Sequence, residues 1–470
     1  MDNNRTVPRS PDVVLVSFEA SEDAKLGTAL PALETAVPGP EGEAWVDLLA
    51  RHECPGITAR RARRQEKTGQ AQDPVVWERA LGSNVWDPDD NRFVDLCGGF
   101  GVASAGHAHP HVVSAVKAQL DQLVHGLGDA FPGRPRIELA EQLAQVTPGD
   151  LSQVIFASSG SEAVEAALKT AVLATGRTQV LAFEGGYHGM SLGIVGASHY
   201  KPGFREPFAG LAGNFAHWLP FGAPLETIDQ WVQAQAEVPA AVLVEPIQGR
   251  GGNRCAPEGW LGALARLCDA HDMLLIFDEL FTGFGRAGAL FQAGSDGADG
   301  VVPDLLCVGK GMTSGFPLSA CIGTESVMAS WGLSGGEAIH TSTFLGHPPG
   351  CAAALAVLGL FREHGLLERA CVLGDYMEAS LEALRERHGG ILGSLEGRGA
   401  MRALQIKQPG GALVLMRRML ERGYIVLPAG LNGDVLSFTP PLTLTRCQWD
   451  GGLAALESCL RELVDERETS

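Results

Sequence analysis

The chain has 470 residues, 45% of them hydrophobic and 19% charged, with a formal net charge of −19. That length exceeds one ordinary core and predicts one large domain with one or two smaller ones, while the acidic balance argues against nucleic acid as a partner. No apolar run approaches the ~20 residues of a membrane span, so no membrane partner is expected.

Residues 1–70 are expected to be an N-terminal extension, partly flexible. The start MDNNRTVPRSPD is polar and lacks the apolar stretch of a signal peptide. The segment ALETAVPGPEGEAW is rich in Pro, Gly and Glu and reads as a connector. The basic run ARRARR (Ala59 to Arg64) sits among acidic neighbours and reads as a solvated helix face. Ten scattered cysteines include no C-x-x-C pair. They read as reduced core or surface thiols, which points to the cytoplasm.

From Val85 the pattern becomes regular. NVWDPDDNRFVDL has strand, turn, strand character. GHAHPHV carries His107, His109 and His111 on alternate positions. Such spacing can bind metal, but a turn leading into a helix is the favoured reading and no metal site is expected. Apolar runs then alternate with helices. QVIFAS is followed by a helix from Ser161 to about Ala174; QVLAFEG and AAVLVEP come next, then a helix over Trp260 to His271, then MLLIFDE and DLLCVGK. Continuous rather than alternating hydrophobicity predicts parallel strands covered on both faces, an α/β fold. Functional groups then belong at the carboxyl ends of those strands. After about Gly350 a long helix, CAAALAVLGLFREHG, and the strands RALQIK and GYIVLPAG predict a smaller α+β unit.

The strand tails carry the chemistry. In SSGSEAVEAALK, Gly160 and Ser161 precede a helix. Free N–H groups there make an anion site, or the serine is a plain cap. In FEGGYHGM, Tyr187 and His188 follow two glycines; the aromatic ring can stack on a flat ligand or simply pack. LLIFDELFTGFGR ends a buried strand on Asp278 and Glu279. DLLCVGKGMTSGFPLSA sets Lys310 between glycines. It is not a P-loop, because the upstream glycine is missing and no Ser or Thr follows the lysine. The flanking glycines read as leaving space beside the amine. Together these pieces fit pyridoxal 5'-phosphate (PLP): a phosphate cradle, an aromatic cover, a carboxylate for the pyridine nitrogen and a lysine for a Schiff base. Glu279 then turns away and serves the structure. GMSLG also matches a serine-hydrolase elbow around Ser191, but that motif needs a strand directly before the serine, and GGYHG intervenes.

The motif order SSGSEAVEAALK, FEGGYHG, VEPIQG, LLIFDELFTGFGR, VGKGMTSGFPLSA, HTSTFLGHPPGCAAALA and FTPPLTLT closely resembles the class III PLP-dependent aminotransferases, the family of ornithine, 4-aminobutyrate and ω-amino-acid aminotransferases. The resemblance runs from about Val85 to the C-terminus. It implies the fold-type I PLP-transferase, with a mostly parallel central sheet and a smaller α+β domain. Residues 71–130 would be the N-terminal part of the small domain, 131–350 the large PLP-binding domain and 351–470 the C-terminal small domain. Catalysis would rest on Lys310 and Asp278, and Gly160, Ser161, Tyr187, His188 and Thr343 would complete the cofactor site. His188 would support the Tyr187 ring. Thr343 would reach the phosphate of a neighbouring subunit, which makes a homodimer with shared sites the expected assembly. Glu245, Phe281 and Ser437 would face the substrate. The reaction implied moves an amino group from a small-molecule donor to a 2-oxo acid; amino-acid racemisation in the same family is the alternative.

Three positions depart from many relatives. Met190 and Ser437 stand where many carry Arg, and Phe281 where many carry Gln. Loss of an arginine at Ser437 removes a bidentate carboxylate clamp. The pocket is therefore expected to prefer an amine, or an apolar or cationic amino acid, unless another cation such as Arg250 or Arg286 replaces it.

Overall fold

The computed structural model describes residues 27–55, 75–128, 130–333 and 338–469. The basic run from Ala59 to Arg64 and most of the N-terminal extension lie outside the described residues.

Among the described residues, three larger sheets and a two-stranded ribbon organise the chain. The first joins β1 (Arg79–Leu81), β2 (Asn84–Trp86) and β3 (Arg92–Asp95). β2 and β3 form the hairpin read from NVWDPDDNRFVDL; Asp87 closes its turn by accepting the N–H groups of Asp89 and Asn91.

The large sheet contains β4 (Leu151–Ala157), β5 (Val180–Phe183), β6 (Ala216–Leu219) and β7 (Ala241–Val244). After a small two-stranded ribbon, β8 (Ile247–Gln248) with β9 (Arg254–Cys255), it continues with β10 (Leu274–Asp278), β11 (Leu305–Val308) and β12 (Ser319–Thr324). The spatial order is β4-β12-β11-β10-β7-β5-β6. β6, β5, β7, β10 and β11 are mutually parallel, whereas β12 runs against both β11 and β4. β4 therefore points the same way as β11, and Ala157, Val244, Asp278 and Val308 all end on one edge. β5, β7 and β11 are buried at every position, the environment their unbroken apolar runs predict.

The helix after β4 spans Gly160–Thr175. Gly160 and Ser161 lie inside its first turn rather than ahead of it, because Ser159 is the N-cap and accepts the N–H of Glu162. Ala163, Ala166, Ala167 and Ala171 are its buried face; short side chains let it settle closely on the sheet.

The third sheet is β13 (Leu392–Arg398), β14 (Met401–Ile406), β16 (Leu427–Ala429) and β17 (Val435–Phe438), in the order β13-β14-β17-β16. GYIVLPAG is thus not one strand. β15 (Tyr424–Ile425) pairs in parallel with β3, and the chain crosses at Val426 to enter the third sheet as β16. Among the described residues no single helix is long and apolar enough to cross a membrane.

Candidate active site

The carboxyl edge of the large sheet gathers several polar side chains. Asp278 ends β10 and is almost fully buried. Its Oδ2 stands 2.8 Å from Nδ1 of His188, and its Oδ1 accepts the N–H of Leu280 at 3.1 Å. Burial alone would lower the His188 pKa, but the bond to Asp278 and that carboxylate's charge outweigh it and raise the value. His188 therefore holds Asp278; its imidazole is committed to that carboxylate and not to the Tyr187 ring. Glu279, next in the chain, turns away. It accepts N–H groups of Gln292 and Ala293, both at 2.7 Å, and the Thr282 hydroxyl at 2.8 Å.

Lys310 follows the neighbouring strand β11, at φ +44°. A β-carbon on Gly309 would stand 2.4 Å from Ser319 Oγ and 2.7 Å from Leu280 Cδ2. The missing side chain there lets protein pack closely, so the space read from the sequence is filled rather than left beside the amine. The Lys310 Nζ lies 4.0 Å above the centre of the Phe281 ring. Burial pulls its pKa down to about 8, against the charges of Asp278 and Glu245, with Arg250 adding to the depression.

Glu245 follows β7 and is buried, accepting the N–H of Tyr187 at 2.9 Å and of Gly249 at 3.0 Å. Burial pushes its pKa up to about 7; the His188 charge opposes this and Asp278 adds to it. One carboxylate thus ties the Tyr187 segment to the loop after β7. The Tyr187 ring is half-buried and lies under the guanidinium of Arg250, whose Cζ is 4.6 Å from the ring centre. Gly160 and Ser161 present the first turn of their helix on the same edge, and the Ser161 Oγ accepts the N–H of Met190 at 3.3 Å. Ser437 sits on β17, buried, with its hydroxyl accepting the amide of Asn253 at 3.1 Å. Thr343 is exposed and lines a surface recess with His125, Gly126, Gly128 and Arg136.

Phe100 and Tyr200, whose rings lie beside Arg250, and Asn253, which belongs to the same turn as Arg250, were not singled out from the sequence. The glycine-rich stretches CGGFG and GRGGN that hold two of them were the available signals. The histidines of GHAHPHV have structural partners: His107 Nε2 is 2.8 Å from Asp95 Oδ2, and the His109 ring accepts the N–H of His111 at the start of the Pro110–Leu120 helix. Ser191 lies eight residues beyond the end of β5, so no strand delivers it as a nucleophile elbow requires.

The donor set suits PLP. Asp278, buried, pairs with His188 and forms no ion pair with a Lys or Arg among the described residues, the Lys310 amine has its pKa lowered to about 8, and a helix opens its first turn toward the same edge.

Comparison with known proteins agrees with this chemistry. The family model described as aminotransferase class-III matches residues 66–460. The chain is 38% identical over 413 residues to the 5-aminovalerate aminotransferase of Pseudomonas aeruginosa, covering 83% of this chain and 94% of that protein. It is 38% identical over 388 residues to the acetylornithine aminotransferase of Methanopyrus kandleri, covering 83% and 95%. Among solved structures, a PLP-bound amine transaminase from an uncultivated Pseudomonas species superposes with a TM-score of 0.76 at 30% identity, covering 83% of this chain and 95% of that one.

Proposed function

The chain belongs to the class III aminotransferases, and from that premise we propose how its residues divide the work and which donor it takes. It is a PLP-dependent enzyme that moves an amino group between an amine or amino acid and a 2-oxo acid. When bound, the cofactor supplies an aldehyde that captures amines and a ring that accepts electrons from the adjacent carbon. Lys310 Nζ is the attachment point and the proton carrier. Its pKa, lowered to about 8, raises the share of neutral amine near physiological pH far above that of an ordinary lysine, and the neutral form is what a base requires. Asp278 holds a proton on the pyridine nitrogen, and His188 fixes the orientation of that carboxylate. Gly160 and Ser161 offer N–H groups and a hydroxyl to the phosphate, and Tyr187 covers the ring. Glu245 positions Tyr187 and the loop that borders the substrate.

The observation that carries this assignment is the placement of Asp278 and Lys310 at the ends of adjacent parallel strands, β10 and β11. The donor is a terminal primary amine, a reading supported by the 5-aminovalerate named for the Pseudomonas relative. The assembly is a homodimer with shared sites. Support comes from Leu127, Phe131 and Phe344, exposed apolar side chains around the Thr343 recess, with Phe131 left 71% exposed. The ten unpaired thiols support a reducing, cytoplasmic setting.

The test loads the protein with PLP and offers primary amines, ω-amino acids and α-amino acids with pyruvate or 2-oxoglutarate, resolving products by chiral chromatography. Transfer from a terminal amine, with the 2-oxo acid converted to its amino acid, is the expected result. Interconversion of enantiomers without consumption of 2-oxo acid would establish a racemase instead.

A further inference from the structure

We propose that Arg250 receives the substrate carboxylate, so that the site selects donors and acceptors whose carboxylate reaches its guanidinium. This rests on the aminotransferase reading above and names the substrate class of the same site.

The position of Ser437 first explains what is missing. An arginine there would clamp a carboxylate in many relatives, but here the Ser437 hydroxyl is buried against Asn253. Asn253 is at φ +54° and donates through the same Nδ2 to the carbonyl of Arg402 at 3.0 Å. Its own N–H returns to the carbonyl of Gly249 at 3.1 Å. The turn from Gly249 to Asn253 is thereby anchored to the third sheet, and Arg250 lies within it. The carbonyl of Arg250 accepts the N–H of Gly430 at 3.1 Å, while the carbonyl of Gly430 accepts the Tyr200 hydroxyl at 3.2 Å. Ser437 has become part of the support for a different arginine.

The Arg250 guanidinium is held by flat apolar surfaces. Its Cζ lies 4.6 Å from the Tyr187 ring centre, 5.7 Å from Tyr200 and 5.8 Å from Phe100. Stacking of this kind uses the face of the guanidinium; one N–H also interacts with the Tyr200 hydroxyl, and the remaining N–H groups of the five-donor fork can meet a planar anion. No carboxylate among the described residues forms an ion pair with it. The amine of Lys310 is close by. The Phe281 ring beneath that amine is wedged between two glycines: a β-carbon would stand 2.2 Å from it at Gly101 and 2.1 Å from it at Gly249. Gly249 directly precedes Arg250 and Gly101 directly follows Phe100, so the ring under the amine packs on the backbone beside both residues. Of the three positions that depart from many relatives, Ser437 supports the turn that carries Arg250, and Phe281 packs against Gly249 at its start.

Arg286 is the other candidate. It is 1% exposed and donates through Nη1 to the carbonyl of Pro440, with its Nε and Nη2 buried without partners, so it presents less surface to a ligand than Arg250 does. Arg250 is only half-buried.

The test compares wild type with Arg250→Met and Arg250→Lys, each confirmed to bind PLP. Two readouts are used. Calorimetry measures binding of glutarate, a dicarboxylate with no amine, which reports the anion site without turnover. The cofactor absorbance change on mixing with 5-aminovalerate or 1-aminopentane reports the first half-reaction. Arg250→Met is expected to weaken glutarate and the kcat/KM for 5-aminovalerate by about 10- to 100-fold, the scale of a lost charge-assisted pair. 1-Aminopentane should change by about twofold or less, and Arg250→Lys should recover part of the loss. Equal losses for both donors, or unchanged glutarate binding in Arg250→Met, would overturn the assignment. If wild type reacts with neither donor but still binds glutarate through Arg250, the choice of donor has failed and the anion site stands.

Discussion

Lys310 occupies a backbone conformation, φ +44°, that non-glycine residues adopt at a cost of roughly 1–3 kcal/mol. The packing on either side is close: Ser319 and Leu280 occupy the place a β-carbon on Gly309 would take, and Phe284 and Ser104 lie near the place of one on Gly311. The same burial depresses its amine pKa to about 8. In the cofactor-free protein, modification of Lys310 by an amine-selective reagent should therefore rise with pH and reach half its limit near 8, since only the neutral amine reacts. Peptide mapping across a pH series measures this; a midpoint near that of an ordinary surface lysine, above pH 10, would show that burial does not govern the amine. Lys310 and Asp278 were legible in the sequence because each terminates a continuous apolar run, and that is a local signal. The support of Arg250 by Ser437 was not, because Asn253 and Ser437 are 184 residues apart and neither carries a pattern that announces the other. The His188–Asp278 contact was not legible either, for a similar reason: the two residues are 90 positions apart, and the sequence reading set His188 beside Tyr187 instead.

At the level of elements, the site depends on where β10 and β11 stop. Glu279 fixes the turn after β10 by accepting two buried N–H groups and a hydroxyl. Glu279→Ala strips all three donors of their acceptor, and each buried unsatisfied group costs about 1–3 kcal/mol. Burial raises the Glu279 pKa, so removing the carboxyl also relieves a desolvation penalty, and the net effect should fall below the sum. The expected outcome is an apparent Tm lowered by about 5 °C or more, with Glu279→Gln closer to wild type; calorimetry with both variants saturated in PLP decides it. An unchanged Tm in Glu279→Ala would remove the structural role. The strands with unbroken hydrophobic runs were legible. β12, SACIGT, was not, because its small side chains give little hydrophobic signal while it pairs antiparallel on both sides. The break at Val426 escaped for the opposite reason: YIVLPA is apolar throughout, and nothing local shows that its two halves join different sheets.

Across the whole molecule, the first sheet is completed by a strand from far along the chain, Tyr424 beside Val94. The amide of Gln448 likewise donates to the carbonyls of Gly27 and Ala29. Thr343 and the exposed Leu127, Phe131 and Phe344 share one surface. Charging it with Leu127→Glu and Phe131→Glu is expected to shift the protein from dimer to monomer in light scattering and to weaken PLP retention. A double variant that remains dimeric with full cofactor would place the interface elsewhere. All of these readings depend on one claim, that the strand ends of the large sheet form a PLP site with Lys310 at its centre. The most direct measurement is to load the protein with PLP, reduce it with borohydride, digest it and locate the added pyridoxyl mass by tandem mass spectrometry. The account predicts that the mass is found on Lys310 and is lost in Lys310→Ala; attachment to another lysine, or none at saturating cofactor, would contradict it.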